Sequence, residues 1–373
     1  SEGEEGVRGQ PIVRASELLP QLSRPPSVDS DRISQGLFLI LTGLVKKVAL
    51  ADYLALNCVD RMFDQPELFS GVEVVVALYA FTMQLYLDFS GYTDVARGSA
   101  MLMGFELPAN FDRPYQATNP ADFWRRWHMT LSRWLRDYLY FPLRRSPAGP
   151  VPAYFHLRLP MFLVGIWHGW WGNFEVFFWY ALLQTFAMVG HRFVYRFFGR
   201  SRDAVDPPHI IALKVLANLQ FVVFSRILFR ASSMENAEDV GGRITRSVST
   251  LWRHWTGPEA LDESQLALAT STLHISVGVW LILLFTFSAH HTPKKILQSF
   301  ETFFVKPSGC WTSQVMNLSM LEPRVVVIED GEDNLRQTIS ASFNFLFEHH
   351  CDLFCRMFEC SASDCIQDYR GTS

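Results

Sequence analysis

Residues 159–190 run for 32 positions with Glu175 as the only Asp, Glu, Lys or Arg among them. A bilayer core of ~30 Å is crossed by about 20 apolar residues in a helix, so this block predicts either one long tilted membrane helix or a pair. Gly165, Gly169 and Gly172 are the places where a pair would break. Inside the block, Ile166-Trp167-His168-Gly169-Trp170-Trp171-Gly172 sets a histidine among glycines and tryptophans. An ionisable side chain at membrane depth is costly and marks a functional site or pathway. The structural alternative is a histidine near the headgroups, bonded to a carbonyl.

Composition agrees with a membrane chain once its unevenness is taken into account. Aromatic residues make up 14% of the 373 residues, yet the mean hydropathy is only +0.09. Apolar blocks alternate with arginine-rich connectors, and the C-terminal tail is polar. Residues 307–373 hold 4 Lys/Arg against 10 Asp/Glu, whereas the remainder holds 29 against 27. Neither balance suits a nucleic-acid partner. Five of the six cysteines, Cys310, Cys351, Cys355, Cys360 and Cys365, lie in that tail, with Cys58 apart. His349, His350 and Cys351 with Cys355, Cys360 and Cys365 invite a zinc reading, but the single row of gaps is a poor match to paired Cys-x₂₋₄-Cys knuckles, so no metal is expected. The domain reading is therefore 1–306 for the membrane part and 307–373 for an atypical acidic, Cys-rich tail. Ser1 opens abruptly in polar sequence, and the chain reads as the later part of something longer.

Before residue 159, segment 33–45 is apolar but short, and Lys46-Lys47 follows. These lysines either snorkel from a longer tilted helix or mark the cytoplasmic end of a short one. Segment 72–87 is a second apolar block, and Asp88 to Asp94 after it suggests a turn at the surface or a lined cavity. Segment 96–107, rich in small residues, is a candidate re-entrant element. Asn119-Pro120-Ala121-Asp122 is a helix start: Asn as N-cap, Pro in the first turn, and an acid facing the positive end. Projected as one helix, Trp124, Trp127, His128, Leu131, Trp134, Leu135 and Tyr138 share a face, opposite Arg125, Arg126, Arg133 and Arg136. Such a helix fits the membrane interface, and six Arg against two Asp over 121–145 place it on the cytoplasmic side. Beyond 190, segment 209–230 is a weaker span interrupted by Lys214 and Arg226. Segment 231–265 reads as a polar connection, and 266–288 is the cleanest span of all. The fold class is all-α, a polytopic helical membrane protein with re-entrant or interfacial helices.

Four motifs in fixed order give the chain a likeness. They are Phe89-Ser90-Gly91-Tyr92-Thr93-Asp94, Asn110-Phe111-Asp112-Arg113-Pro114-Tyr115, Phe123-Trp124-Arg125-Arg126-Trp127-His128 and Trp167-His168-Gly169. The sequence resembles the membrane-bound O-acyltransferase (MBOAT) family, most of all the bacterial alginate O-acetyltransferases and teichoic-acid D-alanyl transfer proteins. The likeness extends through Leu131 to Tyr140, to Phe229-Arg230-Ala231, and upstream to Gly9-Gln10-Pro11-Ile12-Val13-Arg14. It implies a ring of membrane helices around a funnel, His168 as the catalytic residue and His128 as a second essential polar residue. Family members begin with further membrane helices, so a fragment lacking the N-terminal ones is expected.

The resemblance implies transfer of an acetyl group from a cytosolic donor, acetyl-CoA or an acyl carrier, to a hydroxyl across the membrane. The acceptor would be an exopolysaccharide, as in alginate biosynthesis, or a relay acyltransferase. The implied location is the bacterial inner membrane, with no bound cofactor and no nucleic acid. Such chemistry needs a base near neutrality and groups that stabilise an oxyanion, and a neutral imidazole supplies the base. His168 is the expected base, with His128 orienting substrate or polarising the acyl carbonyl. Tyr92, Asp94, Arg113, Arg125, Trp127 and Trp167 are the expected substrate-binding residues. Each has a plainer role: helix-end caps for Tyr92 and Asp94, positive-inside charges for the arginines, and packing or interface anchoring for the tryptophans. Two rival functions remain open, D-alanyl transfer from a carrier protein and a non-catalytic scaffold of a polysaccharide export assembly.

Overall fold

The computed structural model describes residues 11–23, 28–141, 159–169, 173–197, 206–256, 266, 270–272 and 274–292. The tail 307–373, with its cysteines, lies outside them, as do Trp170 and the side chain of Trp167. The described residues are helical and contain no strand.

The central element is α3 (Gly71–Leu102), after α1 (Ala15–Leu22) and α2 (Ser30–Leu44). Ser70 starts α3 with a capping box: its hydroxyl accepts from the Glu73 N–H at 3.1 Å, and the Glu73 carboxylate accepts from the Ser70 N–H at 2.8 Å. Its buried side chains, among them Val74, Leu78, Phe81, Met83 and Leu87, fall on every side, which makes α3 a core helix rather than a half-solvated one. The charged stretch from Asp88 to Asp94 is therefore no surface turn, and residues 96–102 are the last turns of the same helix rather than a re-entrant element.

The reason lies on α2. Beyond Leu44 its chain continues helically, with π-wound stretches at Val45–Ala51 and Ala55–Val59, down to Asp64. Lys46 Nζ lies 2.5 Å from Asp94 Oδ2, and Lys47 Nζ lies 2.8 Å from both Asp88 Oδ1 and Asp52 Oδ1. Each apolar helix thus carries its charges opposite those of the other. Two glycine pairs bring the backbones that close: a methyl at Gly43 would meet the Gly91 carbonyl at 2.5 Å, and one at Gly36 would meet that of Gly98 at 2.9 Å. Small residues at such contacts are how membrane helices approach. The lysines neither snorkel nor mark a helix end.

The expected single helix after Asn119 is two. Asn119 does cap α4 (Pro120–Arg126), its Oδ1 accepting from Asp122 N–H at 2.9 Å. The helix then breaks at Trp127-His128 and restarts as α5 (Met129–Trp134), continuing in π winding over Leu135–Tyr140. Residues 159–190 contain the pair anticipated as one option: α6 (Leu159–Gly169) and α7 (Phe174–Phe197). They pack antiparallel, with Gly165 against Ala181 and Gly169 against Phe177.

Three further helices correct the reading of the C-terminal half. The weaker candidate is an intact helix, α8 (Pro208–Arg230). The supposed polar connection is largely α9 (Met234–Thr256), amphipathic, with Ala237, Val240 and Ser247 buried and Trp252 and Trp255 exposed. In the supposed cleanest span the helix is α10 (Val277–His291), and residues 267–269 and 273 lie outside the described ones. The start of α10 is displaced because the α3 N-terminus holds the preceding residues. Ser70 Oγ donates to the Ser271 carbonyl at 2.5 Å, and the fully buried Glu73 accepts from the His274 N–H at 2.8 Å. Among the described residues, α3 and α8 are long and apolar enough to cross a membrane.

Candidate active site

His128 occupies the break between α4 and α5, with φ 48° and ψ 54°. A left-handed backbone at a non-glycine residue is uncommon and persists where surrounding contacts over-determine it. Asn110 supplies those contacts. Its carbonyl oxygen Oδ1 accepts from Thr130 Oγ1 at 2.9 Å and from Thr130 N–H at 3.1 Å, and it lies 3.2 Å from His128 Nδ1. Its backbone carbonyl accepts from Met129 N–H at 2.9 Å, while Asp112 N–H donates to the Arg126 carbonyl at 2.9 Å. The stretch 110–112 thereby locks the chain on both sides of the histidine. Because Oδ1 can only accept, the neutral imidazole places its proton on Nδ1 and leaves Nε2 as an acceptor.

The upstream motif braces the same turn. Ile12 N–H donates to Thr130 Oγ1 at 3.3 Å, and Arg14 pairs with Asp137 beyond α5. Asn110, His128 and Thr130 are all buried. The turn between α4 and α5 belongs to neither of the two described helices, α3 and α8, that are long and apolar enough to cross a membrane. Burial holds the His128 imidazole well below its ordinary range, and the field of His168 lowers it further.

His168, near the end of α6, is partly buried and stacks on Phe177 of α7 with centroids 6.2 Å apart. Phe177 links it to a cluster of rings in the core. Phe89 of α3 meets the His128 ring edge-on at 4.9 Å, Phe111 meets Trp127 at 5.0 Å, and Phe123 stacks on Trp127 at 5.6 Å. Phe229 of α8 lies 5.4 Å from Phe177. Both histidines therefore border one buried aromatic region, within electrostatic reach of each other.

The other expected residues divide. Trp127 is 6% exposed and belongs to this region. Tyr92 lies one turn beyond Phe89 on α3, whereas Asp94 pairs with Lys46 across the α2 contact and, at 3.7 Å, with Arg97 on its own helix. Neither caps a helix end. Arg113 sits in a left-handed turn, φ 48°, ahead of Pro114. Arg125 points outward, 74% exposed, and pairs with Asp122 on its own helix at 3.1 Å.

Residues not singled out also enter. Asn110 was visible only as the first letter of a motif. Arg226 was noted as a charge interrupting α8; it is 2% exposed, with its guanidinium carbon 5.3 Å from the Trp127 ring and 5.1 Å from that of Phe229. His290 accepts from Tyr115 N–H at 3.2 Å and ties the end of α10 to the 114–116 turn.

The order of these motifs, the paired histidines and the long apolar helices have a counterpart in known sequences: residues 11–234 match the model of the membrane-bound O-acyltransferase family. The chain belongs to that family. As an MBOAT member it is a membrane protein. Over 232 residues it is 37% identical to the "Peptidoglycan O-acetyltransferase" of Helicobacter pylori, an alignment covering 61% of this chain and 42% of that protein. It is 41% identical over 234 residues to the "Probable alginate O-acetylase AlgI" of Pseudomonas putida, covering 63% and 46% respectively. It is 30% identical over 162 residues to the "Teichoic acid D-alanyltransferase" of Bacillus subtilis, covering 41% and 40%. The chain thus spans less than half the length of these three relatives.

Proposed function

We propose that this MBOAT chain is the histidine-bearing part of an O-acyltransferase that moves an acetyl group from a cytosolic thioester, acetyl-CoA, to a hydroxyl on the far side of the membrane. The acceptor is a hydroxyl of an envelope polysaccharide or of a relay acyltransferase, and the membrane is the bacterial inner one. The observation that carries this reading is His128 and His168 bordering one buried aromatic region, with a ring nitrogen of His128 left to accept a proton or a substrate hydrogen bond. His168 takes the proton of the acceptor hydroxyl as its oxygen attacks the acyl carbon. His128, fixed by Asn110, orients the acceptor or polarises the acyl carbonyl. Trp127 and Tyr92 line the acyl path, and Arg113 contributes positive charge toward the donor phosphates. Relatives named for O-acetyl transfer at 37% and 41% identity favour acetyl as the group moved.

The test is acetyl transfer in membranes from a labelled thioester donor, with His168→Ala compared at matched abundance. A loss of at least about 10²-fold is expected for a general base, and activity within a few-fold of the parent removes His168 from the mechanism. D-alanyl transfer from a carrier protein is the second reading. It is favoured by the teichoic-acid relative and by the outward-facing arginines Arg125 and Arg136. Pull-down with a loaded acyl carrier, lost in Arg125→Glu, would support it over the coenzyme donor. No transfer from either donor would leave the scaffold role in an export assembly.

A further inference from the structure

Arg226 lies in the most apolar surroundings of any charge in α8. Its side chain is 2% exposed, and Nη1 makes one hydrogen bond, to the Tyr180 hydroxyl at 3.3 Å. Among the described residues Nε and Nη2 are buried with no hydrogen-bond partner at normal geometry, the buried Tyr115 hydroxyl lying near the guanidinium, and no carboxylate pairs with it. Trp127 and Phe229 face the guanidinium, and their π faces offset part of the cost of desolvating it. They offer no oxygen acceptor to the N–H groups of Nε and Nη2. An arginine does not shed its proton when buried, so the chain keeps a permanent cation with open donors inside its core. Such a group is expensive without an anionic partner.

Its position says what the partner is. Trp127, on one side of Arg226, precedes His128. Phe229, on the other, touches Phe177, on which His168 stacks. The open donors therefore lie in the ring region bordered by both histidines.

We propose that Arg226 is an oxyanion-binding residue: its Nε–H and Nη2–H donate to the acyl carbonyl oxygen as that oxygen gains negative charge. The assignment rests on the acyl-transfer reading and deepens it. The acceptor's hydroxyl oxygen forms the new C–O bond, its proton passes to an imidazole, and the carbonyl π pair moves onto oxygen beside the guanidinium. When that pair returns, the C–S bond of the thioester donor breaks, and the sulfur leaves with the bonding electrons and takes up the proton. Two parallel N–H donors match an oxyanion better than a ground-state carbonyl, so the contact acts on the rate rather than on donor affinity.

The experiment compares Arg226→Met and Arg226→Lys with the parent in membranes, measuring kcat and KM for a thioester donor and the thermal midpoint of the detergent-solubilised protein. Arg226→Met should lower kcat by about 10²- to 10³-fold with KM within a few-fold. Its midpoint should be unchanged or higher, because an unpaired buried cation has been replaced by an apolar chain. Arg226→Lys, keeping charge without the fork, should recover part of kcat. A lower midpoint with a matching fall in activity overturns the assignment in favour of a packing role. A raised KM at unchanged kcat overturns it in favour of a standing anion on the substrate. A parent that transfers from no thioester sinks the acyl-transfer reading and this assignment together; an active parent with an equally active Arg226→Met sinks the assignment alone.

Discussion

The α2–α3 interface and the ring region around His128 both bury polar and charged groups among apolar helices, and they treat them in opposite ways. At the interface every lysine has its carboxylate: Lys46 has Asp94, and Lys47 has Asp88 and Asp52. Around His128 the polar groups are held in place but left partly open, with Nε2 of the histidine an acceptor and two donors of Arg226 unpartnered. Closed charge pairs give register to a helix contact. Open ones are tolerated where a substrate completes them.

That contrast can be broken at its closed side first. Asp94→Asn strands Lys46, whose side chain is 30% exposed, and should cost about 3 kcal/mol, the lower end of what breaking a buried pair costs. Adding Lys46→Met should restore most of the loss, as a chemical or thermal unfolding series in detergent would read. If Asp94→Asn alone is neutral, the pair is solvated and the interface is not closed.

Asn110→Ala sharpens the open side. It removes the shared acceptor of two Thr130 donors and of His128. A destabilisation of about 2 kcal/mol is expected from the buried donors left behind. Acyl transfer should fall by more than that stability change explains, because His128 loses its tautomer and orientation. Equal activity per folded molecule would show that the histidine does not need Asn110.

A third effect concerns protons. The folded-state pKa of His128 is lowered from 6.5 to about 3. The unfolded chain therefore binds a proton at a higher pH than the folded one. Its contribution to stability is complete above pH 6.5 and drains away as pH falls towards 3, reaching about 2 kcal/mol lost at pH 5 at 1.36 kcal/mol per unit. His128→Gln should flatten that part of the stability profile. An unchanged profile would mean that the ring is hydrated.

Several parts of this layout are legible without coordinates because they depend on neighbours in the chain. Asn119 with Pro120 and Asp122 starts a helix through local hydrogen bonds, and the apolar block at 159–190 reads as either one long helix or a pair broken at its glycines, of which the structure takes the pair. Where the linear reading fails, a distant partner decides. Trp127-His128 breaks a periodic helical pattern because Asn110 pins the turn, and Ser271 and His274 stay out of α10 because Ser70 and Glu73 hold them. The charges from Asp88 to Asp94 look like an exit from the membrane until Lys46 and Lys47 are set opposite them.

By itself the sequence determined that this is a helical membrane protein of the MBOAT family and that His128 and His168 are its ionisable landmarks, since apolar length and ordered motifs are properties of the chain alone. Only the tertiary structure decided that one histidine sits in a strained turn held by Asn110, and that Arg226 comes to lie between the rings that lead to both. The reason is that the cost of burying a charge depends on what surrounds it in space, and those surroundings come from helices α3, α7 and α8, far apart along the chain.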